Sequence, residues 1–271
     1  MKAKHILAAG CLLAAPFVLL APGQAAESKK APFLGRNFAH RGLHSEDQSV
    51  PENSLKAFEL AAEAGYGMEL DVQLSKDGYV VVFHDDTLDR ACGVAARVDE
   101  LDLDELKKLS LFGTAERIPL FSEVLELVGG RVPLIVELKN GPRNEELCEK
   151  TWALLRTNPG AFCIESFNPF IVAWFRFHAP TVLRGQLAQL PEEYVRGGRK
   201  LSEGLVLGNT LLNVAARPHF IAYRIGGKTM AVRLAEALGA MSFGWTSHSR
   251  ESEKGRDAVI FEYYRPDIRY K

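Results

Sequence analysis

Glu69-Leu70-Asp71-Val72-Gln73-Leu74-Ser75-Lys76-Asp77-Gly78-Tyr79-Val80-Val81-Val82-Phe83-His84 holds two β-prone runs joined by a tight-turn signal at Lys76-Asp77-Gly78. The chain is therefore expected to double back as an antiparallel hairpin. Folding about Asp77 returns His84 opposite Leu70, beside Glu69 and Asp71. Alternate strand residues share a face, so Glu69 and Asp71 project together, about 6.6 Å apart along the backbone. Two carboxylates so spaced suit oxygen ligation of one hard cation.

Outward from this hairpin, β-branched and aromatic runs alternate with amphipathic ones, punctuated by Gly, Pro and Asn. Parallel strands are expected at Asn37–Gly42, Met68–Leu74, Leu134–Lys139, Phe162–Phe167, Leu183–Ala188, Phe220–Ile225, Met241–Thr246 and Ala258–Glu262. Helices are expected between them at Ser54–Ala64, Phe121–Val128, Asn144–Leu155 and Lys228–Leu238. The pattern predicts a (β/α)8 TIM barrel with an extra β-hairpin strand after the second barrel strand. Its site belongs at the C-terminal ends of the strands. With no repeat or linker long enough to divide it, residues 33–271 are read as one domain.

The 271 residues are 47% hydrophobic and 25% charged, with a formal net charge of −1. No global field draws such a chain to nucleic acid. Residues 1–26 differ: Lys2, Lys4 and His5 precede the apolar run from Ile6 to Ala21, and small residues surround Ala25 and Ala26. That is the layout of a signal peptide or an N-terminal membrane anchor, and cleaved export is the expectation. The run falls short of the roughly twenty residues that a bilayer span needs. Cys92, Cys148 and Cys163 follow no zinc spacing and imply no disulfide framework.

The third barrel strand repeats the device of the second, placing Glu137 and Lys139 at alternate positions in apolar sequence. Charges inside strands need partners. An ion-pair network holding the barrel together is one reading of this set, and a metal centre is the other. His40 closes the first strand at the same rim, where Gly42 permits a sharp turn or close backbone approach. Two histidines flanking a cation-bound phosphate can share proton transfer. Glu52, in Pro51-Glu52-Asn53-Ser54, lies in a loop where it orients a histidine, assists a metal, or sits at the positive end of a helix.

Taken in order, His40-Arg41-Gly42, Pro51-Glu52-Asn53-Ser54, Glu69-Leu70-Asp71-Val72, His84-Asp85, Glu137-Leu138-Lys139, Ser166-Phe167-Asn168 and Gly244-Trp245-Thr246 resemble the signature of glycerophosphodiester phosphodiesterases. The resemblance implies His40 and His84 as the acid/base pair and Glu69, Asp71 and Glu137 as ligands of a divalent metal, Ca2+ or Mg2+. It also implies Arg41 and Lys139 as phosphate contacts, Trp245 as a substrate contact and Glu52 as a supporting carboxylate. The implied reaction is hydrolysis of small glycerophosphodiesters to sn-glycerol 3-phosphate and an alcohol.

The chain departs from the family pattern in Ser247-His248, and Glu262 is read as a rim charge only. Residues between Leu88 and Pro119 are expected to form a short cover with a small helix at Asp104–Leu109. His44, His178, His219 and His248 are assigned to packing or surface, and Tyr263 and Tyr264 to barrel packing. The alternative function, a phospholipase D- or sphingomyelinase-like enzyme acting on intact lipids, calls for a protruding apolar loop. None is evident in the sequence.

Overall fold

A computed structural model describes residues 17–271. Eight parallel strands close on themselves: β1 (Arg36–Ala39), β2 (Gly67–Leu74), β4 (Leu134–Leu138), β5 (Phe162–Ser166), β6 (Leu183–Ala188), β7 (Phe220–Arg224), β8 (Met241–Ser247) and β9 (Ala258–Phe261). Closure is made by β1, which pairs with both β2 and β9. The ninth strand, β3 (Val80–Val82), runs antiparallel to β2 with Val72 opposite Val82. Continuing that register sets His84 opposite Leu70, as the turn signal predicts, and the Phe83 amide donates to the Asp71 carbonyl. Gly78 makes the turn at φ 85°, a conformation that side chains disfavour.

Strand alternation sorts side chains into two layers. Met68, Leu70, Val72, Leu134, Val136 and Leu138 point outward into the layer shared with the helices. Ile135, Cys163, Leu183, Phe220 and Phe243 point inward and fill the lower barrel. Phe33, from the segment before β1, caps this inner core, its ring 5.8 Å from Phe38 and 6.5 Å from Phe243. One step up the same inward faces, the apolar residues give way to Asp71, Glu137 and Glu165, aligned in one row across β2, β4 and β5. The barrel therefore changes from apolar floor to acidic mouth within a single strand length.

The helices that position the mouth begin with α1 (Leu55–Glu63), where Ser54 accepts from the Ala57 amide as N-cap. Gly42 packs on α1, and a side chain there would meet Ala57 at 2.9 Å. Next come α2 (Phe121–Val128), α3 (Asn144–Leu155) and α4 (Pro169–His178). Between β6 and β7 the chain inserts α5 (Pro191–Arg196), α6 (Leu201–Gly208) and α7 (Asn213–Ala216), and α8 (Met230–Ala237) follows β7. The cover between Leu88 and Pro119 holds a small helix at Leu103–Leu106 and its own cluster of Val81, Phe83, Leu88, Val98, Leu106 and Ile118.

Residues 1–16 of the expected leader lie outside the described residues. Residues 17–26 run across the barrel floor, where Leu20 is buried and Arg217 donates to the carbonyls of Val18 and Ala21. No helix among the described residues is long and apolar enough to cross a membrane. Cys92, Cys148 and Cys163 are free, and burial pushes the Cys148 thiol up to about 12.

Candidate active site

At the mouth, His40, Arg41, Glu69, His84, Glu137 and Trp245 surround a recess of about 490 Å3 that opens to solvent. Oxygen atoms of Glu69, Asp71 and Glu137 lie within 4.8 Å of one another, and all three residues are buried. These donors fit a hard divalent cation, for which carboxylate oxygens converging from two strands are the expected set. Their electrostatics agree. Burial, together with the Asp71 and Glu137 carboxylates, pushes Glu69 well above the usual carboxylate range. Burial acts the same way on Asp71, but Lys139, His84 and Arg41 outweigh it and hold that group well below the range. Three carboxylates this close cannot all stay charged without positive charge among them.

Lys139 supplies part of that charge, 2.8 Å from Glu137 and 3.3 Å from Asp71. Burial would lower the ammonium's pKa, yet Glu137 and Asp71 raise it above its ordinary value. Arg41 sits opposite, donating to Glu52 at 2.8 Å and lying 3.5 Å from Asp71. Its own amide donates to Glu69 at 3.0 Å from a backbone at φ 52°. Left-handed backbone also occurs at Thr246 and Tyr263, so the ends of β1, β8 and β9 all carry strain at this rim. Asn53 fixes the remaining Asp71 oxygen with a 2.8 Å hydrogen bond.

The two histidines are mounted alike. His40 Nδ1 is 2.9 Å from Glu262, and His84 Nδ1 is 2.6 Å from Asp85. In both rings Nε2 is left to work, and His40 Nε2 stands 3.9 Å from Glu69. Burial and the Arg41 charge hold His40 below its ordinary value against the opposing pull of Glu262. Gln73 anchors the His84 loop from β2, donating to the carbonyls of Phe83 and Asp85 at 2.8 and 2.7 Å.

Glu52 does not line the recess. It accepts from Arg41 and, at 2.6 and 3.1 Å, from Arg90, whose Nε donates to Asp85. A continuous chain of charge thus runs from His84 through Asp85, Arg90, Glu52 and Arg41 to Asp71. Trp245 lines the recess with its ring, while its indole N–H is already committed to the carbonyls of Ala188 and Ala222 at 3.2 Å.

Four residues here have no site role in the sequence reading, which holds Asp85 only within His84-Asp85 and takes Glu262 for a rim charge. Glu262 braces His40 and also meets His248 at 3.4 Å. Arg90 and Asp85 form the second brace, and buried Glu165 stands in the acidic row, its carboxyl pushed well up by burial and by Glu137. Asp85 has the His84-Asp85 pair as its signal, and Glu165 has a charge at an inward position of a buried strand. Tyr263, assigned to packing, is 43% exposed, and its ring stacks on His248 and meets His44 edge-on.

The fold and this mouth place the molecule among (β/α)8 barrels whose chemistry sits at the C-terminal ends of the strands. A sequence profile of the glycerophosphoryl diester phosphodiesterase family matches residues 40–262, and the chain belongs to that family. A glycerophosphodiester phosphodiesterase of Caldanaerobacter subterraneus is 46% identical over 164 residues, 56% of this chain and 65% of that relative. The match thus spans a little under two thirds of the relative's length. A lysophospholipase D of Rattus norvegicus is 34% identical over 161 residues, covering 54% of this chain and 49% of the relative. Among solved structures, a phosphodiesterase of Oleispira antarctica in complex with the product sn-glycerol-3-phosphate superposes with a TM-score of 0.68. It is 25% identical, over 86% of this chain and 94% of that one.

Proposed function

We propose that this protein hydrolyses small glycerophosphodiesters to sn-glycerol 3-phosphate and an alcohol, with a Ca2+ or Mg2+ ion held by Glu69, Asp71 and Glu137. The observation that carries the reading is a carboxylate triad flanked by two histidines, each braced at Nδ1. When bound, the ion supplies Lewis-acid charge to the phosphoryl oxygens. Arg41 and Lys139 add positive charge for the phosphate. His40, kept neutral by burial and Arg41, accepts a proton from the attacking hydroxyl at Nε2. His84, held at Nδ1 by Asp85, donates a proton to the leaving alkoxide. Glu262 and Asp85 are positioning residues, and Glu52 acts through the two arginines. The family match and the product named for the Oleispira antarctica structure support the same reaction class.

The test is incubation of the purified chain with glycerophosphocholine or glycerophosphoethanolamine in Ca2+, Mg2+ or EDTA, measuring glycerol 3-phosphate. Release with a metal and none with EDTA is expected. A folded protein that releases nothing with either ion refutes the reading. Export through residues 1–26, cleaved as a signal peptide or else retained as a membrane anchor, is part of the proposal and rests on the Lys2 and Lys4 charges before the apolar run. Cell fractionation and the mass of the mature chain decide it; an uncleaved cytoplasmic chain would refute it.

A further inference from the structure

Phe170 and Phe177 stand seven residues apart on α4, and so on one face of it, with Trp174 between them. The two phenylalanines are 68% and 67% exposed. Beside α4, Leu201 and Leu205 of α6, Leu211, and Val214 of α7 are exposed as well. These elements form one wall. Phe170 lines a common groove with Val206 and Leu212. Arg176 ties α4 to α7 through the carbonyls of Val214 and Ala215, at 2.9 and 2.7 Å, and its guanidinium lies 5.0 Å from the centre of the Phe177 ring. At the foot of the wall Arg217, which follows α7, donates to the carbonyls of Val18 and Ala21. Phe17, Val18 and Leu19 are exposed there. The rest of the N-terminal apolar run, Ile6 to Pro16, is therefore joined to the molecule at this place.

Large apolar side chains grouped in this way mark a contact surface, and the charge of the wall says what covers it. The whole chain has a formal net charge of −1, yet α4 carries Arg176 and no carboxylate, and Val195 to Arg217 holds Arg196, Arg199, Lys200 and Arg217 against Glu203 alone. Arg196, Arg199 and Lys200 are exposed. A second copy of the chain would bring the same positive charge against it. Aromatic and aliphatic side chains bordered by arginine and lysine suit helices lying in the headgroup layer of a membrane, where the basic groups meet lipid phosphates. We propose that the wall of α4, α6 and α7 rests on an anionic lipid bilayer. The wall runs from Phe170 at the mouth to Phe177 at the floor, so the barrel lies on its side with its axis along the membrane surface. The contact belongs to the folded barrel. It holds whether the leader is cleaved or retained, and it is independent of the reaction proposed above.

The test mixes the full chain with vesicles of phosphatidylcholine, with and without phosphatidylglycerol, whose acyl chains carry bromine, and measures tryptophan fluorescence. Trp174 sits in the wall, whereas Trp152 and Trp245 lie on α3 and in the mouth. The expected result is quenching that requires phosphatidylglycerol, weakens as salt is added, and disappears in Trp174→Phe. Phe177→Asp should remove most of it while the thermal midpoint stays at the wild-type value, because an exposed side chain contributes little to folding. Vesicle binding without quenching of Trp174 means that the leader alone holds the lipid, and it overturns the wall. So does the absence of any binding. Quenching indifferent to phosphatidylglycerol overturns the anionic surface as the partner. A dimer in solution that Phe177→Asp dissociates, with no quenching by lipid, gives the wall to a second copy of the chain and overturns the proposal as well.

Discussion

One half of the barrel mouth, built on β1 to β4 and the end of β9, is almost wholly ionic; the other, built on the segments after β5 and β6, is mostly apolar. In the first, every side chain is held by another: His40 by Glu262, His84 by Asp85, Asp71 by Asn53 and Lys139, and Glu52 by two arginines. In the second, Phe170, Val195, Leu201 and Leu205 are exposed. A folded protein tolerates single exposed apolar residues, but several grouped beside a site mark a binding surface. The ionic half thus holds its groups at fixed positions, while the apolar half leaves carbon surface to solvent.

The sharpest way to break this division is to remove the proton carriers. His40→Ala and His84→Ala should each lower kcat on glycerophosphocholine by roughly 10²- to 10⁴-fold while metal affinity, measured by calorimetry, stays nearly unchanged. Wild-type rates in both variants would leave the ionic half as a structural network only. Glu69→Gln comes next: turnover should fall about 100-fold, and metal affinity should fall with it. A variant that loses turnover but binds metal normally would remove Glu69 from the proposed ligand set.

A smaller effect is expected from Arg90→Ala, which touches neither metal nor recess but joins Glu52 to Asp85. Loss of such an outer contact costs on the order of tenfold, here in kcat with KM nearly constant, because His84 loses its orientation rather than the substrate its contacts. If KM rises instead with kcat unchanged, Arg90 is itself a substrate contact.

The two halves also differ in how far the sequence discloses them. Glu69, Asp71, Glu137 and Lys139 are legible because a period of two fixes which residues share a face, and charge at an inward position is conspicuous among Val, Ile and Leu. His84 is legible through one turn, since a hairpin's register follows from its loop. Glu262 is not: its role exists only because the barrel closes, bringing β9 beside β1 across most of the chain. Arg90 is hidden for the same reason, its partners at Glu52 and Asp85 meeting only in the fold. In the apolar half, Leu201, Leu205, Val206 and Leu207 have the spacing of an ordinary core-facing helix. The glycines at 204 and 208, which let α6 lie against Pro191 and turn those leucines outward, carry no signal of their own. The sequence therefore gives no sign that this helix leaves Leu201 and Leu205 exposed.

The smallest expected effect tests that last point. Leu201 and Leu205 are 63% and 46% exposed, one turn apart on α6, while the side of the helix that packs on α5 is made by Gly204 and Gly208. If these leucines serve binding rather than folding, changing both to Ser removes little buried area. Urea unfolding should then shift by no more than about 0.5 kcal/mol per site, and glycerophosphocholine turnover should not change. The propensity difference between Leu and Ser in a helix accounts for most of even that. A loss of about 2 kcal/mol or more per leucine would instead be the signature of core side chains. The apolar half of the mouth would then be a poorly covered extension of the hydrophobic core, and its contrast with the ionic half would describe packing and not recognition.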